Sequence, residues 1–197
     1  GFVAPGQGFF VGTVGPDTTV SSMSFPTSII SATANWADDF VSNDIMTDDK
    51  ADVILFLNQS GVTNSTHIGF NATTSDLLDF GYDAEIFMNN NFYSRLLEGE
   101  DAIDLTIQTL AYSEMWNKVI PVGINALSGE EMIIGISHRT TPADLNIYLE
   151  DTEEGTMTNL LEEDFVYTPT SDLEGVGRFF IHMTADTMSN EDVSTSM

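Results

Sequence analysis

Leu145-Asn146-Ile147-Tyr148-Leu149-Glu150 decides the fold class, because its aliphatic side chains fall on every second residue. A period of two is that of a half-buried strand, whose successive side chains point to opposite faces of a sheet. Arg178-Phe179-Phe180-Ile181-His182-Met183 repeats the pattern with Phe179, Ile181 and Met183 on one face, and Met132, Ile134 and Ile136 do so again. Each run therefore has one core face. Val53-Ile54-Leu55-Phe56-Leu57 is apolar on both faces, which suits a central strand covered on both sides.

Short β-rich runs broken by Gly, Asn, Asp and Pro recur along the chain while helical periodicity is scarce, the pattern of an all-β sandwich or barrel. Further strands are expected over 8–14, 19–25, 67–70, 103–109, 119–125, 156–160 and 165–168. Glu153-Glu154-Gly155 reads as a hairpin turn in which Gly155 supplies a positive φ. A short helical turn is expected around 76–78 or 113–116. Residues 1–34 form an N-terminal β-hairpin and linker, either the end of an upstream domain or an intersubunit strand, since two strands alone bury no core. The sandwich domain spans 35–185, and the polar stretch 186–197 reads as a linker.

Composition narrows the function classes. The 197 residues are 42% apolar, enough for a packed core, yet 31 Asp and Glu against 5 Lys and Arg leave a net charge of −26. Such a field repels phosphate backbones and anionic headgroups, so nucleic acid and membrane insertion are poor expectations. The absence of cysteine removes disulfides, thiolate metal sites and thiol nucleophiles together. The opening Gly1-Phe2-Val3-Ala4-Pro5-Gly6 lacks the basic and apolar regions of a signal peptide, so the expectation is either a cytosolic chain or targeting pieces outside this sequence.

Carboxylates are the one chemistry in abundance. They cluster at Asp76, Asp79, Asp83 and Glu85, at Glu98, Glu100, Asp101 and Asp104, and at Glu150, Asp151, Glu153 and Glu154. Calcium is the cation that hard oxygen ligands suit, and Asp79 and Asp83 with a carbonyl beside Gly81 are the candidate ligands, although no EF-hand loop accompanies them. A solvated acidic face is the plainer reading of the clusters. Trp36, Tyr112 and Trp116 are candidates for an aromatic platform stacking on sugar rings, against the commoner fate of aromatics as core. His67, His138 and His182 stand apart without metal-ligand spacing, and no nucleophile elbow or phosphate-cradling loop occurs. The expectation is of a protein that is not an enzyme.

Taken in chain order, Val3-Ala4-Pro5-Gly6-Gln7-Gly8-Phe9-Phe10-Val11, Gly81-Tyr82-Asp83-Ala84, Tyr93-Ser94, Leu105-Thr106-Ile107-Gln108, Val119-Ile120-Pro121-Val122-Gly123, Ile147-Tyr148-Leu149-Glu150-Asp151 and Arg178-Phe179-Phe180 carry a resemblance. The chain resembles the region preceding the C-terminal type IX secretion sorting domain of large secreted or cell-surface Bacteroidetes proteins. That resemblance implies an antiparallel jelly-roll-like β-sandwich, an extracellular or outer-surface location, and a sorting domain following the linker.

The function expected from these readings is a non-catalytic structural or adhesive module of a surface assembly. It would join copies of itself or a neighbouring surface protein through β-strand edges, with calcium as a possible aid. The alternative is a carbohydrate-binding module of a secreted polysaccharide-degrading enzyme, with polysaccharide as the partner.

Overall fold

A computed structural model describes residues 49–86, 90–96 and 102–188, which belong to one compact unit spanning 48–197. The expected strands at 8–14 and 19–25, the hairpin and linker of 1–34, and Trp36 lie outside the described residues, as does most of the 186–197 linker.

The described chain is all-β. Its strands are β1 (Lys50–Gln59), β2 (Val62–Asn71), β3 (Ala84–Glu85), β4 (Phe92–Leu96), β5 (Ile103–Ala111), β6 (Asn117–Ile124), β7 (Met132–Arg139), β8 (Asn146–Asp151), β9 (Thr156–Asn159), β10 (Phe165–Tyr167) and β11 (Phe179–Thr184). They form one ladder in the order β10-β7-β1-β2-β5-β4-β6-β11-β8-β9, with β3 branching off β5. The ladder begins and ends on strands consecutive in sequence, β9 and β10, and its course is that of a nearly closed, barrel-like sheet. Closure of this kind covers most strand edges. Among the described residues, no helix is long and apolar enough to cross a membrane.

One feature departs from the antiparallel expectation. β2 runs parallel to β5, with His67 opposite Ile107 and Asn71 opposite Ala111, so the sheet is mixed. The hairpin between β1 and β2 turns on Ser60 and Gly61, both at positive φ, which matches the right-handed twist of the strands they join. Gly155 has a φ of 64° at the β8–β9 turn, as the Glu153-Glu154-Gly155 step predicts. The expected helical turn is a single 3₁₀ turn at Tyr112–Glu114, joining β5 to β6.

Alternation builds the core. Val53, Leu55 and Leu57 of β1 are buried together with Ile147 and Leu149 of β8 and Phe179, Ile181 and Met183 of β11. β1 sits inside the ladder between β7 and β2, where its two-faced apolar sequence placed it.

The barrel seam is held by one cation. The Arg178 guanidinium donates from Nε and Nη2 to the two oxygens of Asp151, at 2.8 and 2.6 Å, and from Nη1 to Glu153 at 2.8 Å. It lies 4.6 Å from the ring centre of Tyr167 in β10 and 5.0 Å from that of Phe179. The Tyr167 hydroxyl in turn donates to Glu154. Arg178 thus ties the β8–β9 hairpin to β11 and to β10, the opposite end of the ladder. The Asp151 carboxylate, bonded to it, raises the Arg178 pKa above its ordinary value.

Candidate functional site

Among the described residues, a broad concavity opens at one end of the sheet, where four chain segments meet. The β1–β2 turn supplies Gln59, Ser60 and Val62, the β6–β7 loop supplies Asn125 to Glu130, and Asn91 and the 172–174 segment complete the wall around a cavity of about 530 Å³. Clefts of this size with an apolar floor and a few fixed polar groups are the usual form of a small-ligand site.

Side chains standing in for strand rungs hold the cleft open. Gln59 donates from Nε2 to the carbonyls of Leu127 and Glu130, both at 3.0 Å, and accepts from the Leu127 N–H at 2.9 Å. The Asn125 side chain accepts from Gly175 N–H at 3.0 Å, while Ala126 and Leu173 exchange main-chain hydrogen bonds. Asp172 accepts from both the N–H and the hydroxyl of Ser128, and these donors hold its carboxyl below the usual range. Ser60 donates its hydroxyl to Glu130.

The result is an apolar floor of Leu57, Ala126 and Leu173 between exposed lips at Val62 and Leu127, with Asn64, Glu130 and Glu174 around the rim. Amides donate to and accept from hydroxyls, carboxylates accept from them, and the acidic rim repels anions. The arrangement can grip a neutral ligand rich in hydroxyl groups, laying apolar C–H faces on the floor.

The residues singled out from sequence lie elsewhere. Tyr112 and Trp116 are half-buried and pack against the hydrophobic core, on either side of the fully buried Met115. The two rings sit on the core side of that turn, the commoner fate of aromatics.

Asp79, Gly81 and Asp83 come together in one loop, where their carboxylates serve the main chain. Asp79 accepts from the N–H and hydroxyl of Ser75 at 2.6 and 2.9 Å. Asp83 accepts from the N–H of Asp79 and, across the sheet, from that of Thr109 in β5, each at 2.6 Å. Asp76 reaches the Ala111 N–H two residues further along. The loop therefore satisfies donors on the edge of β5 that faces away from β2, where beyond β3 no described strand pairs with it. Burial raises the Asp83 pKa above the usual carboxylate value, the two N–H donors oppose that rise, and the nearby Asp79 charge adds to it. A calcium ion bound here would share these oxygens with the main-chain donors. Among the described residues, no group of three or more His, Asp or Glu is arranged to hold a metal ion.

The third acidic cluster is not a uniformly solvated face. Asp151 is fully buried against Arg178, and Glu150 is buried and accepts from His182 at 2.6 Å. His67 pairs with Asp52 at 2.7 Å, and His138 is exposed.

The cleft residues escaped the sequence reading because they form no motif: Leu57 and Glu174 are the ends of a set scattered along most of the described chain. The one local signal was the Ser60-Gly61 pair, a hairpin turn that exposes whatever flanks it.

A family model described as a domain of unknown function (DUF8693) matches residues 1–183. No curated protein and no solved structure matches the chain.

Proposed function

We propose that this chain, which belongs to the family of that domain of unknown function, is a non-catalytic extracellular binding module that holds a neutral, hydroxyl-rich glycan in its end cleft. The observation that carries the reading is the cleft itself: an apolar floor among polar groups, of which Gln59, Asn125 and Asp172 are fixed by hydrogen bonds to the main chain. Preorganised polar groups lose little freedom on binding, which favours recognition of weakly interacting sugars. The net charge of −26 disfavours anionic glycans and leaves neutral ones.

The test is titration calorimetry with neutral oligosaccharides of glucose, galactose, mannose and xylose. Leu127→Ser and Glu174→Ala both alter exposed positions, so the fold should survive them. Each is expected to weaken binding by about tenfold, the equivalent of one lost contact. Absence of binding to every glycan, or binding unaffected by both substitutions, removes the reading.

A structural or adhesive role, joining neighbours through strand edges, is the second reading. It is favoured by the ends of the ladder, where β9 and β10 each pair with a single described strand. Mass that grows with concentration in light scattering supports it, and a constant monomer mass counts against it. Export in the manner of regions preceding type IX sorting domains, a jelly-roll-like folding of the ladder, and calcium at Asp79 and Asp83 belong to the same set of proposals.

A further inference from the structure

A second opening lies at the other end of β6. β4 lies between the two long strands, pairing with β5 through Ser94–Leu96 and with β6 through Phe92–Ser94. The carboxylate of Asp76 links β5 to β6, accepting from Ala111 N–H at 3.4 Å and from Lys118 Nζ at 2.7 Å. Behind it is a cavity of about 120 Å³, walled by Leu110 and Ile120 and polar at Asp76, Arg95, Gln108 and Lys118.

Gln108 is 4% exposed, and its side-chain carbonyl oxygen is buried without a hydrogen-bond partner. Buried acceptors are almost always satisfied, so an orphan lining a cavity points to a donor that enters it. The surroundings restrict that donor. A bare cation meets Lys118 and Arg95, and an anion meets the Gln108 carbonyl and Asp76. A hydroxyl suits both halves, since it donates through hydrogen and accepts through oxygen.

We propose that this cavity binds a neutral polyol or the hydroxymethyl arm of an uncharged sugar, its O–H donating to Gln108 Oε1 and its oxygen accepting from Lys118 or Arg95. The volume matches the share of about four waters, which such a group displaces. The aliphatic walls receive its C–H groups. Arg95 is held for this by Asp104, which takes its Nε and Nη2, and Lys118 by Asp76. The site stands independently of the end cleft, which lies beyond the opposite end of β6.

The experiment follows the Gln108 side-chain amide in ¹H–¹⁵N spectra, assigned by its loss in Gln108→Met. Glycerol and methyl glucoside are titrated, with potassium, ammonium and phosphate salts as the competing probes. A saturable shift with the two neutral probes alone is expected, weakened about tenfold or more in Lys118→Met, which keeps the reporter in place. Leu127→Ser should leave it unchanged, which separates this site from the end cleft. Saturation by a salt instead, a linear shift with no saturation, or equal affinity in Lys118→Met would each overturn the proposal.

Discussion

Arg178→Ala is expected to destabilise the fold by about 3–5 kcal/mol, because it leaves Asp151 buried without the charge that compensates it. Asp151 retains the N–H groups of Glu153 and Glu154, at 3.1 and 3.3 Å, which stabilise the carboxylate but do not neutralise it. The same substitution removes the cation from between Tyr167 and Phe179, so β10 loses a packing partner across the seam. In thermal unfolding the melting temperature should fall by roughly 10 °C. Arg178→Lys should recover only part of the loss, since an ammonium cannot form the two parallel bonds that the guanidinium makes with Asp151. A stability within about 1 kcal/mol of the parent for Arg178→Ala would mean that the pair adds no more than an exposed ion pair does.

Gly123→Val should be nearly as damaging, although valine is the better strand former. Tyr93 lies directly opposite Gly123 across the β4–β6 pair, and its ring rests on the glycine so closely that any Cβ would overlap it. Valine must expel the ring or force the strands apart, at a cost of about 3 kcal/mol, the upper part of the range for overpacking. Urea unfolding of the single variants and of Gly123→Val combined with Tyr93→Ala measures the coupling. The combined loss should be well below the sum, because once the ring is gone valine occupies its space. Additive losses would show that the glycine serves the backbone and not the tyrosine.

The strands were legible where alternation is unbroken, as in Leu145–Glu150 and Arg178–Met183. β4 was harder, because Phe92-Tyr93-Ser94-Arg95-Leu96 has only five residues and buries Tyr93 and Ser94 alongside Phe92 and Leu96. In β5 the register slips where β3 pairs with it, between the partners of Ala84 and Glu85, so Leu105, Gln108 and Leu110 are buried without a strict period of two. The parallel pairing of β2 with β5 had no local mark, since a strand's sequence does not state its neighbour's direction.

The partners of the charges were hidden for a related reason. Asp151 sits in an acidic run, yet its partner is Arg178, at the entry to a strand that only the folded sheet brings alongside. Asp76 and Asp83 stood out as a cluster, but their work of satisfying Ala111 and Thr109 depends on a bare edge of β5 that exists only in the fold.

The parallel contact between β2 and β5 also orders assembly. The β1–β2 and β8–β9 hairpins close across tight turns, each able to form before the rest of the chain has found its place. Joining β2 to β5 instead requires a long excursion through β3 and β4 before any rung of that ladder is gained, so entropy is lost well ahead of the contacts that offset it. By the same argument the β2–β5 rungs should form after those of the two hairpins, as should the β1–β7 rungs, whose partners lie further apart still.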